Sequence, residues 1–445
     1  MIQVTSFFHS YDLRGRYPEE ISEEEARKVG KAYGTFTDAE KVLVGKDGRK
    51  NGEGITEAFI EGVNSTGVDV EYAGMVPTPV VYHGQVKGNY ASSAVVTASH
   101  NPPEYTGFKF CLENALAMSR EGGMADIEEI YRSEEFDTGK GGVKEVEVLP
   151  EYTEAVYDEV GELDIEVAVN CGNGVTGSMA REMFEGLGAD VKMVNEEVDG
   201  EFPNHLPAPG EEEAQKQLEE AMSDEHLGII FDGDGDRSGF ILPGYGYVGE
   251  DKVIALFAEA SLDLGEGDVI HDLRASKIVP EKIREHGGEP VETRVGHTFI
   301  SEKIHEDDNV VFAGELSGHY YFPAFDFPWD DGLFAAALMS KMVAEKDIVE
   351  KLYSWPEYPV SPELRIDCPE EAKQPVIEAV KDEYSDHELA TVDGVKIYFE
   401  NGWALVRPSN TEEKMSVRCE ADTEEDLDEI LEEVEGNVRR FIQEV

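Results

Sequence analysis

Basic residues are scarce in this sequence. It has 38 lysines and arginines against 96 aspartates and glutamates, which gives a formal net charge of -58 at pH 7. A chain with this charge repels both nucleic acid and anionic membrane surfaces, so we expect neither as a partner. The acidic residues are spread along the whole chain instead of forming a tail. This distribution predicts a solvated acidic surface like that of a halophile's protein.

Cysteines and long apolar segments are also scarce. The four cysteines are far apart and form no C-x-x-C pair, which indicates neither a zinc knuckle nor a disulfide framework. We expect reduced core thiols at Cys111, Cys171, Cys368 and Cys419. No segment has 18 consecutive apolar residues, and the first residues lack the basic start and apolar core of a signal peptide. These absences predict a cytoplasmic protein.

The 445 residues, 40% of them hydrophobic, are enough for several globular domains. Apolar runs of strand length alternate with segments of helical periodicity, a pattern typical of βαβ units and mostly parallel sheets. A linker rich in Gly, Lys and Glu lies near 138–147, and a proline-rich hinge lies at 355–362. We predict an α/β fold with domains at 1–145, 146–249, 250–354 and 355–445.

A polar loop follows the apolar run Ala94–Val96. It offers the hydroxyl of Ser99, the imidazole of His100 and, ten residues after the serine, the ammonium of Lys109. Adjacent prolines exclude a helix, and the loop lacks the G-x-S-x-G elbow of serine hydrolases, so attack on a carbonyl is not predicted. Ser99 either caps a turn or carries a phosphoryl group. The second interpretation requires a metal and a phosphate site elsewhere in the chain.

An acidic turn, Asp232-Gly233-Asp234-Gly235-Asp236-Arg237, follows another apolar run. Three carboxylates at alternate positions, separated by glycines that let the backbone curl, can converge on one hard cation such as Mg²⁺. An EF-hand is excluded because its sixth and twelfth positions would be Arg237 and Pro243. A metal-free acidic turn is the alternative, but three uncompensated aspartates at a buried strand end would repel one another.

Two later loops also contain polar side chains in suggestive patterns. Glu315 and Ser317 alternate at a strand end, so both can face one way and bind neighbouring sugar hydroxyls. Arg407 offers a guanidinium fork to phosphate. It is followed by three small side chains with hydrogen-bonding groups, Ser409, Asn410 and Thr411. This second loop predicts an anion site, although a plain hairpin turn is the alternative.

Four features have two interpretations each. Arg14 in its glycine turn is either a surface arginine or a ligand. His297 and His319 lie in glycine-flanked loops and are either packed or catalytic. The glycine turn 172–177 either packs a strand against a helix or binds an anion through backbone N–H groups. Its spacing is not that of the dinucleotide-binding fingerprint.

Together these stretches resemble the α-D-phosphohexomutase superfamily, in its phosphomannomutase/phosphoglucomutase branch, over essentially the whole chain. Four motifs occur in the family's order: Thr97-Ala98-Ser99-His100-Asn101-Pro102, Asp232-Gly233-Asp234-Gly235-Asp236-Arg237, Gly314-Glu315-Leu316-Ser317-Gly318-His319 and Arg407-Pro408-Ser409-Asn410-Thr411. The resemblance implies three related α/β domains with mixed or parallel sheets and a smaller α+β C-terminal domain, arranged around a central cleft.

The resemblance also implies residue roles. Ser99 is the implied phosphoserine, and one Mg²⁺ is held by an oxygen of that phosphoserine and by Asp232, Asp234 and Asp236. The implied catalytic residues are Ser99, His100, Lys109, Arg14 and His297. The implied substrate-binding residues are Arg237, Arg274, Gly296, Glu315, Ser317, His319, Arg407, Ser409, Asn410 and Thr411. Arg274 departs from several relatives, which carry a lysine at this position.

The implied activity, of the isomerase class, interconverts the 1-phosphates and 6-phosphates of mannose, glucose or both. Phosphoserine 99 gives its phosphoryl group to the free hydroxyl, a hexose 1,6-bisphosphate forms and turns around, and the other phosphate returns to Ser99. His297 or Lys109 is expected to transfer the proton, while His100 shapes the loop or contacts phosphate. Hexose phosphates are the expected partners, a hexose 1,6-bisphosphate the activator, and a monomer or weak homodimer the assembly.

Three alternative functions are weighed against this one. The Gly-Glu-Leu-Ser-Gly-His loop favours mannose and glucose phosphates, but a phosphoglucosamine mutase is the first alternative. A haloacid-dehalogenase-type phosphatase would phosphorylate Asp232 and use Asp330 and Asp331 as downstream acids, which leaves Ser99 without a role. A protein that senses sugar phosphates without turning them over would need no phosphoryl carrier.

Overall fold

The computed structural model describes residues 7–9, 12–409 and 413–445. These residues form four sheets, one in each of four consecutive parts of the chain, which we call the first to fourth domains. No helix in the described ranges is long and apolar enough to cross a bilayer. All four cysteines are buried and unpaired, as expected of core thiols.

The first domain has a seven-stranded sheet with helices on it. Its elements are β1 (Leu13–Arg16), α1 (Glu23–Phe36), β2 (Lys41–Lys46), α2 (Gly52–Asn64), β3 (Asp69–Met75), α3 (Thr78–Lys87), β4 (Ser93–Val96), β5 (Tyr105–Leu112), β6 (Leu116–Ala117), α4 (Ala125–Ser133) and β7 (Val143–Glu145). The strand order is β1-β5-β4-β2-β3-β7, and β6 pairs with β5. The fully buried run Ser93–Val96 places β4 inside the sheet, so the loop after it emerges from the core.

The second domain has five strands in the order β12-β11-β10-β8-β9. Its elements are α5 (Leu149–Val160), β8 (Glu166–Asn170), α6 (Ala180–Gly186), β9 (Asp190–Val194), α7 (Glu212–Ala221), β10 (Leu227–Phe231), β11 (Ser238–Leu242) and β12 (Gly246–Val248). Every residue of β10 is buried, which matches its continuous apolar sequence and its place at the centre of the sheet.

The third domain has five strands in the order β14-β13-β15-β16-β17. Its elements are α8 (Glu250–Leu262), β13 (Asp268–Asp272), α9 (Ile278–Glu285), β14 (Glu289–Thr293), α10 (His297–Glu306), β15 (Val310–Gly314), β16 (Tyr320–Phe322), β17 (Phe327–Asp330), α11 (Gly332–Glu345) and α12 (Ile348–Tyr353). The side chain of Asp331 caps α11 by accepting the N–H of Phe334.

The first three sheets share a five-strand arrangement. Each contains three parallel strands, β3-β2-β4, β9-β8-β10 and β14-β13-β15, followed by two antiparallel strands, and the first sheet also has β7 parallel to β3. The loop that leaves the last parallel strand therefore has the same position in all three domains. It contains Ser99 in the first domain, Asp232 in the second and Glu315 in the third. The carboxyl ends of parallel strands are where α/β folds bind ligands.

The fourth domain is smaller and its five strands are all antiparallel, in the order β18-β22-β21-β20-β19. Its elements are β18 (Leu364–Asp367), α13 (Glu370–Glu383), β19 (Glu388–Ala390), β20 (Val395–Phe399), β21 (Gly402–Pro408), β22 (Lys414–Ala421) and α14 (Glu424–Glu444). The fold class predicted from the sequence, three related α/β domains and a smaller α+β domain, is confirmed.

The apolar cores differ in extent between the domains. The largest cluster runs through the first three, from Leu43 through Phe231 to Trp329. The fourth domain has its own cluster, and a small separate one joins Leu273 of the third domain to Trp403 and Leu405 of the fourth. The first three domains are thus fused through one core, whereas the fourth contacts the third through a small apolar cluster and a few polar pairs.

Candidate active site

Ser99 lies in the loop between β4 and β5 and is fully buried. Its φ of +48° is in the left-handed region, which residues other than glycine rarely adopt. In this conformation its Oγ lies 2.8 Å from Oδ2 of Asp232, in the second domain, and 3.2 Å from Nδ1 of His100. The serine of one domain therefore touches the acidic turn of the next.

The three aspartates of that turn are buried and converge. Asp232, Asp234 and Asp236 each place one carboxylate oxygen within 4.8 Å of the others. Gly235, at φ +81°, lets the backbone curl, and its N–H donates to Oδ1 of Asp232 at 2.8 Å. Within the described ranges, Oδ1 of Asp234 and Oδ1 of Asp236 have no hydrogen-bond partner. Buried carboxylate oxygens that lack donors fit a hard cation, so this triad can hold a metal ion.

Two residues of the first domain bind the acidic turn. Lys109, on β5, donates to Oδ2 of Asp234 at 2.8 Å and also to Oδ2 of Asp236. Thr78, the first residue of α3, donates its N–H to the Asp234 carbonyl at 2.8 Å and its hydroxyl to Oδ2 at 2.7 Å. Thr78 was not predicted from the sequence, because a threonine after a proline carries no signal of a partner in another domain.

The buried charges perturb one another. Burial alone would lower the pKa of Lys109, but Asp234 and Asp236 outweigh it and raise that pKa. Burial and the other two carboxylates raise the pKa of Asp232 well above its usual range. Burial also opposes ionisation of Asp236, yet Lys109 and other nearby cations hold its pKa well below the usual value. The nearby cations therefore do not fully compensate Asp232, and a divalent cation would supply the missing charge.

Arg14 and His100 flank the serine loop. Arg14, on β1, pairs with Asp12 at 2.6 Å and donates to Oδ1 of Asn101 at 2.6 Å. Burial, with two arginines nearby, lowers the pKa of His100 to about 2, so its imidazole is neutral. Arg14 thus brings positive charge to the loop, whereas His100 offers hydrogen bonds without charge.

The loop after β15 brings the third domain to the same place. The hydroxyl of Ser317 lies 2.7 Å from Oε2 of Glu315 and 2.9 Å from Nδ1 of His319. The Nε–H of Arg237 donates to Nε2 of His319 at 3.1 Å, and the two residues also form an isolated β-bridge. These contacts join the second and third domains beside the acidic turn.

Three other predicted residues lie around Glu315. The N–H of Gly296, at φ +135°, donates to Oε1 of Glu315 at 3.0 Å, and His297 begins α10 directly after it. Arg274 forms two hydrogen bonds to Asp272, at 3.0 and 2.9 Å, and lies 3.6 Å from Glu315. Asp272, which the sequence analysis did not select, therefore orients Arg274 toward the loop.

Asp330, at the end of β17, lies between two histidines. Its Oδ2 is 3.5 Å from Nδ1 of His297 and 3.6 Å from Nε2 of His319. The two rings are stacked with their centroids 5.5 Å apart. The sequence analysis considered Asp330 only as a downstream acid of a phosphatase, because its position between the histidines depends on strand pairing.

The fourth predicted loop belongs to a separate pocket. Arg407 and Ser409 line a cavity of about 160 Å³ together with Arg365 and Lys414. Arg407 donates to Oδ2 of Asp393 at 2.5 Å. The other two residues predicted for this loop, Asn410 and Thr411, lie outside the described residues. The cationic pocket is thus a feature of the fourth domain, whereas the acidic turn directly contacts both the serine loop and the loop after β15.

The glycine turn 172–177 packs against the acidic turn. The N–H of Val175 donates to the carbonyl of Gly233 at 3.1 Å. A Cβ on Gly174 would lie 2.9 Å from that same oxygen, too close for any other residue. Of the two interpretations of this turn, the structure therefore supports the packing one.

Fold and site together define a four-domain α/β protein in which a buried serine contacts a triad of aspartates that can hold a cation. Known family profiles match the whole arrangement. Those described as "Phosphoglucomutase/phosphomannomutase, alpha/beta/alpha domain" I, II and III match residues 5–138, 150–244 and 249–358, and the profile of the C-terminal domain matches 363–436. The chain belongs to the phosphoglucomutase/phosphomannomutase family.

Relatives are similar over nearly the full chain. A phosphomannomutase/phosphoglucomutase of Pseudomonas aeruginosa is 35% identical over 436 residues, 96% of this chain and 94% of the relative. A phosphomannomutase of Methanocaldococcus jannaschii is 34% identical, with 98% of each chain covered. The crystal structure of a phosphoglucomutase/phosphomannomutase family protein from Burkholderia thailandensis has a TM-score of 0.89 at 30% identity, with 99% of this chain and 98% of that one covered. The predicted superfamily is confirmed.

Proposed function

We propose that the chain is a hexose-phosphate mutase of the isomerase class. It interconverts the 1-phosphates and 6-phosphates of mannose, glucose or both, through phosphoserine 99 and a hexose 1,6-bisphosphate. The observation that carries this proposal is the 2.8 Å contact between Oγ of Ser99 and Oδ2 of Asp232. A serine beside a carboxylate triad suits a carrier of phosphoryl groups better than a nucleophile for carbonyls. Family membership supports the same activity.

The metal of the proposed enzyme is Mg²⁺, one ion per chain. Asp232, Asp234 and Asp236 would hold it together with an oxygen of the phosphoserine, and the two unpartnered carboxylate oxygens support this assignment. Bound there, Mg²⁺ would supply positive charge opposite the oxygens of the transferring phosphoryl group.

The protein's own residues hold and move the other charges. The bond between Oγ of Ser99 and phosphorus breaks as the substrate hydroxyl oxygen bonds to phosphorus, and the hydroxyl proton passes to His297, because Lys109 is already an ammonium paired with Asp234 and Asp236. The bisphosphate turns around and its other phosphoryl group returns to Ser99, while the proton goes back to the sugar oxygen. Arg14 and Arg237 stabilise negative charge at the serine loop throughout.

Sugar and distal phosphate have separate sites in this proposal. Glu315 and Ser317, whose polar atoms lie 2.7 Å apart, bind neighbouring sugar hydroxyls. The pocket around Arg407 binds the phosphate that is not being transferred. The other proposed contacts are Arg237, Arg274, Gly296, His319, Ser409, Asn410 and Thr411.

Replacement of the carrier serine tests the activity. Ser99→Ala should abolish isomerisation of mannose 1-phosphate and glucose 1-phosphate in the presence of a trace of hexose 1,6-bisphosphate. Its intact mass should lack the phosphorylated population of the native protein, because no other side chain accepts the phosphoryl group. Isomerisation by Ser99→Ala at the native rate would refute the proposal.

Hydroxylamine distinguishes the mutase from the phosphatase alternative. An acyl phosphate on Asp232 is cleaved by hydroxylamine, whereas a phosphoserine survives it. We expect the phosphorylated mass to persist after treatment. Comparison of kcat/KM for the 1-phosphates of mannose, glucose and glucosamine then decides the substrate.

Four further statements belong to this proposal. The domain boundaries are those predicted from the sequence, a hexose 1,6-bisphosphate is the activator, and the chain is a monomer or weak homodimer. The protein works in the cytoplasm of a halophile, where a reducing compartment keeps thiols free. Four buried, unpaired cysteines and the net charge of -58 support this location and this host.

A further inference from the structure

Arg49 lies behind the serine loop, in the turn between β2 and α2, and its side chain is 1% exposed. Its Nη2 donates to the carbonyls of Ser99 at 2.7 Å and Asn101 at 2.6 Å. Its Nη1 donates to the carbonyls of Pro102 at 2.8 Å and Tyr105 at 3.0 Å. One guanidinium therefore binds four carbonyls along the loop that presents the reactive hydroxyl.

Asp47 completes this arrangement from the same turn. Its Oδ2 accepts the Nε–H of Arg49 at 3.1 Å and the hydroxyl of Thr97 at 2.7 Å. The Thr97 oxygen in turn accepts the N–H of Ser99 at 2.8 Å. Arg49 thus holds the carbonyl of Ser99, while Asp47, through Thr97, holds its N–H.

The guanidinium has an acceptor for every N–H it offers. Arginine has five such donors in a planar fork, and Arg49 has five acceptors, the four carbonyls and Oδ2 of Asp47. A lysine has three donors on one atom and cannot span carbonyls that are spread over seven residues of loop. The carboxylate of Asp47 balances the buried positive charge of Arg49. Without such a partner, burying a guanidinium would cost a large desolvation free energy.

The second domain covers the outer side of the turn. The ring of Phe202 lies 5.1 Å from Cζ of Arg49. A Cβ on Gly200 would lie 2.2 Å from the backbone nitrogen of Lys50, so the two segments are in close contact. The turn is therefore held between the serine loop and the domain that supplies the three aspartates.

We propose that Arg49 is a positioning residue, which holds Ser99 in its left-handed conformation so that Oγ points at the acidic turn. The conformation at φ +48° is unfavourable for serine and persists only where surrounding bonds enforce it. Arg49 does not touch the substrate. The predicted effect of its replacement on turnover rests on the function proposed above. Misplacement of a reacting atom by about 1 Å costs roughly 100-fold in rate.

Arg49→Lys tests the inference, because it keeps the charge and removes the fork. We expect kcat to fall about 100-fold while KM for the sugar phosphate changes less than about threefold, since the substrate contacts are untouched. Phosphorylation of Ser99 by glucose 1,6-bisphosphate should slow by the same factor in the folded protein. The control is Arg181→Lys, which alters an arginine on α6 of the second domain that is bound to Glu196 at 2.7 Å and, among the described residues, has no bond to the loop, and it should leave kcat unchanged.

If Arg49→Lys does not fold, a pair of variants at Thr97 tests whether bonds from this turn position Ser99. Thr97→Val keeps the shape and removes the hydroxyl that links Asp47 to Ser99, whereas Thr97→Ser keeps it. We expect kcat to fall about tenfold in Thr97→Val and to recover in Thr97→Ser.

Native kcat in Arg49→Lys, or equal activity of the two Thr97 variants, would overturn the inference. A fall in activity that only matches the loss of folded protein would do so as well. Failure of the proposed function gives a different result, since the native protein itself would then neither isomerise hexose phosphates nor carry phosphate on Ser99.

Discussion

Removal of the buried ammonium of Lys109 should make the stability of this protein depend on Mg²⁺. The ammonium contacts Asp234 and Asp236, and all three side chains are at most 5% exposed. Lys109→Gln keeps a similar length and a hydrogen-bond donor but removes the positive charge that contacts Asp234 and Asp236 directly. A divalent cation in the same turn would restore that charge.

The structure allows the size of this effect to be estimated. Removal of one partner from a buried ion pair typically costs about 3–5 kcal/mol. Uptake of a proton by one of the remaining carboxylates limits the loss, so we expect about 3 kcal/mol without metal. For the roughly 350 residues of the three domains that share one core, an unfolding entropy of about 2.1 cal/mol/K per residue makes this a fall of roughly 4 °C in the midpoint of thermal unfolding. A cation present at 100 times its Kd would raise the free energy of unfolding by about 2.7 kcal/mol.

Thermal unfolding followed by circular dichroism, in EDTA and in MgCl₂ at one ionic strength, measures the effect. The gain in midpoint on addition of Mg²⁺ should be larger in Lys109→Gln than in the native protein. The matched control is Lys396→Gln, which alters a lysine that is 3% exposed and bonded to Glu292 of the third domain at 2.6 Å. It should be destabilised to the same extent in both buffers.

Two results would contradict this reasoning. If Lys109→Gln unfolded at the native midpoint in EDTA, the ammonium would not be compensating the aspartates. If Mg²⁺ raised the midpoints of Lys109→Gln and Lys396→Gln by the same amount, the acidic turn would not be where the cation binds.

Three further measurements check other parts of the structure. Arg407→Ala should raise KM for the sugar phosphate about 10–100-fold with a smaller change in kcat, and an unchanged KM would exclude the pocket as a phosphate site. Burial raises the pKa of Asp251 to about 7. The folded state therefore binds a proton that the unfolded state has lost, and stability falls as pH rises from about 4 to 7. In Asp251→Asn, the free energy of unfolding measured by urea titration should therefore fall less between pH 5 and pH 8 than in the native protein. An identical fall in both proteins would contradict this prediction. Finally, kcat/KM should rise with KCl, because the Debye length is about 3 Å at 1 M and the net charge of -58 then no longer repels the substrate. A steady fall of kcat/KM with rising KCl would contradict this prediction.

The loops of the candidate site were predictable from the sequence because each follows a strand with a simple pattern. The apolar runs before Ser99, Asp232 and Glu315 are all buried strands, β4, β10 and β15. Carboxylates at alternate positions, separated by glycines, indicate a cation site without knowledge of the rest of the fold. The alternation of strands and helices likewise predicted the α/β class, whereas the relation among the three domains was implied by the family resemblance.

The partners of these loops were not predictable in the same way. Asp330 lies between His297 and His319, and Thr78 binds Asp234, a residue 156 positions later in the chain. Arg49 reaches carbonyls about 50 residues away, although its own turn gives no sign of them. Each of these contacts depends on which strands are neighbours and on how the domains meet.

The amino-acid sequence by itself determined the acidic surface, the α/β class, the strands and the residue types at their ends. These features depend on composition and on periodicities of two to four residues, which act within a single element. Only the tertiary structure decided that Ser99 and Asp232, 133 residues apart, lie within one hydrogen bond of each other. That contact depends on burying the shared core of three domains at once, and no local pattern in the chain records such a long-range arrangement.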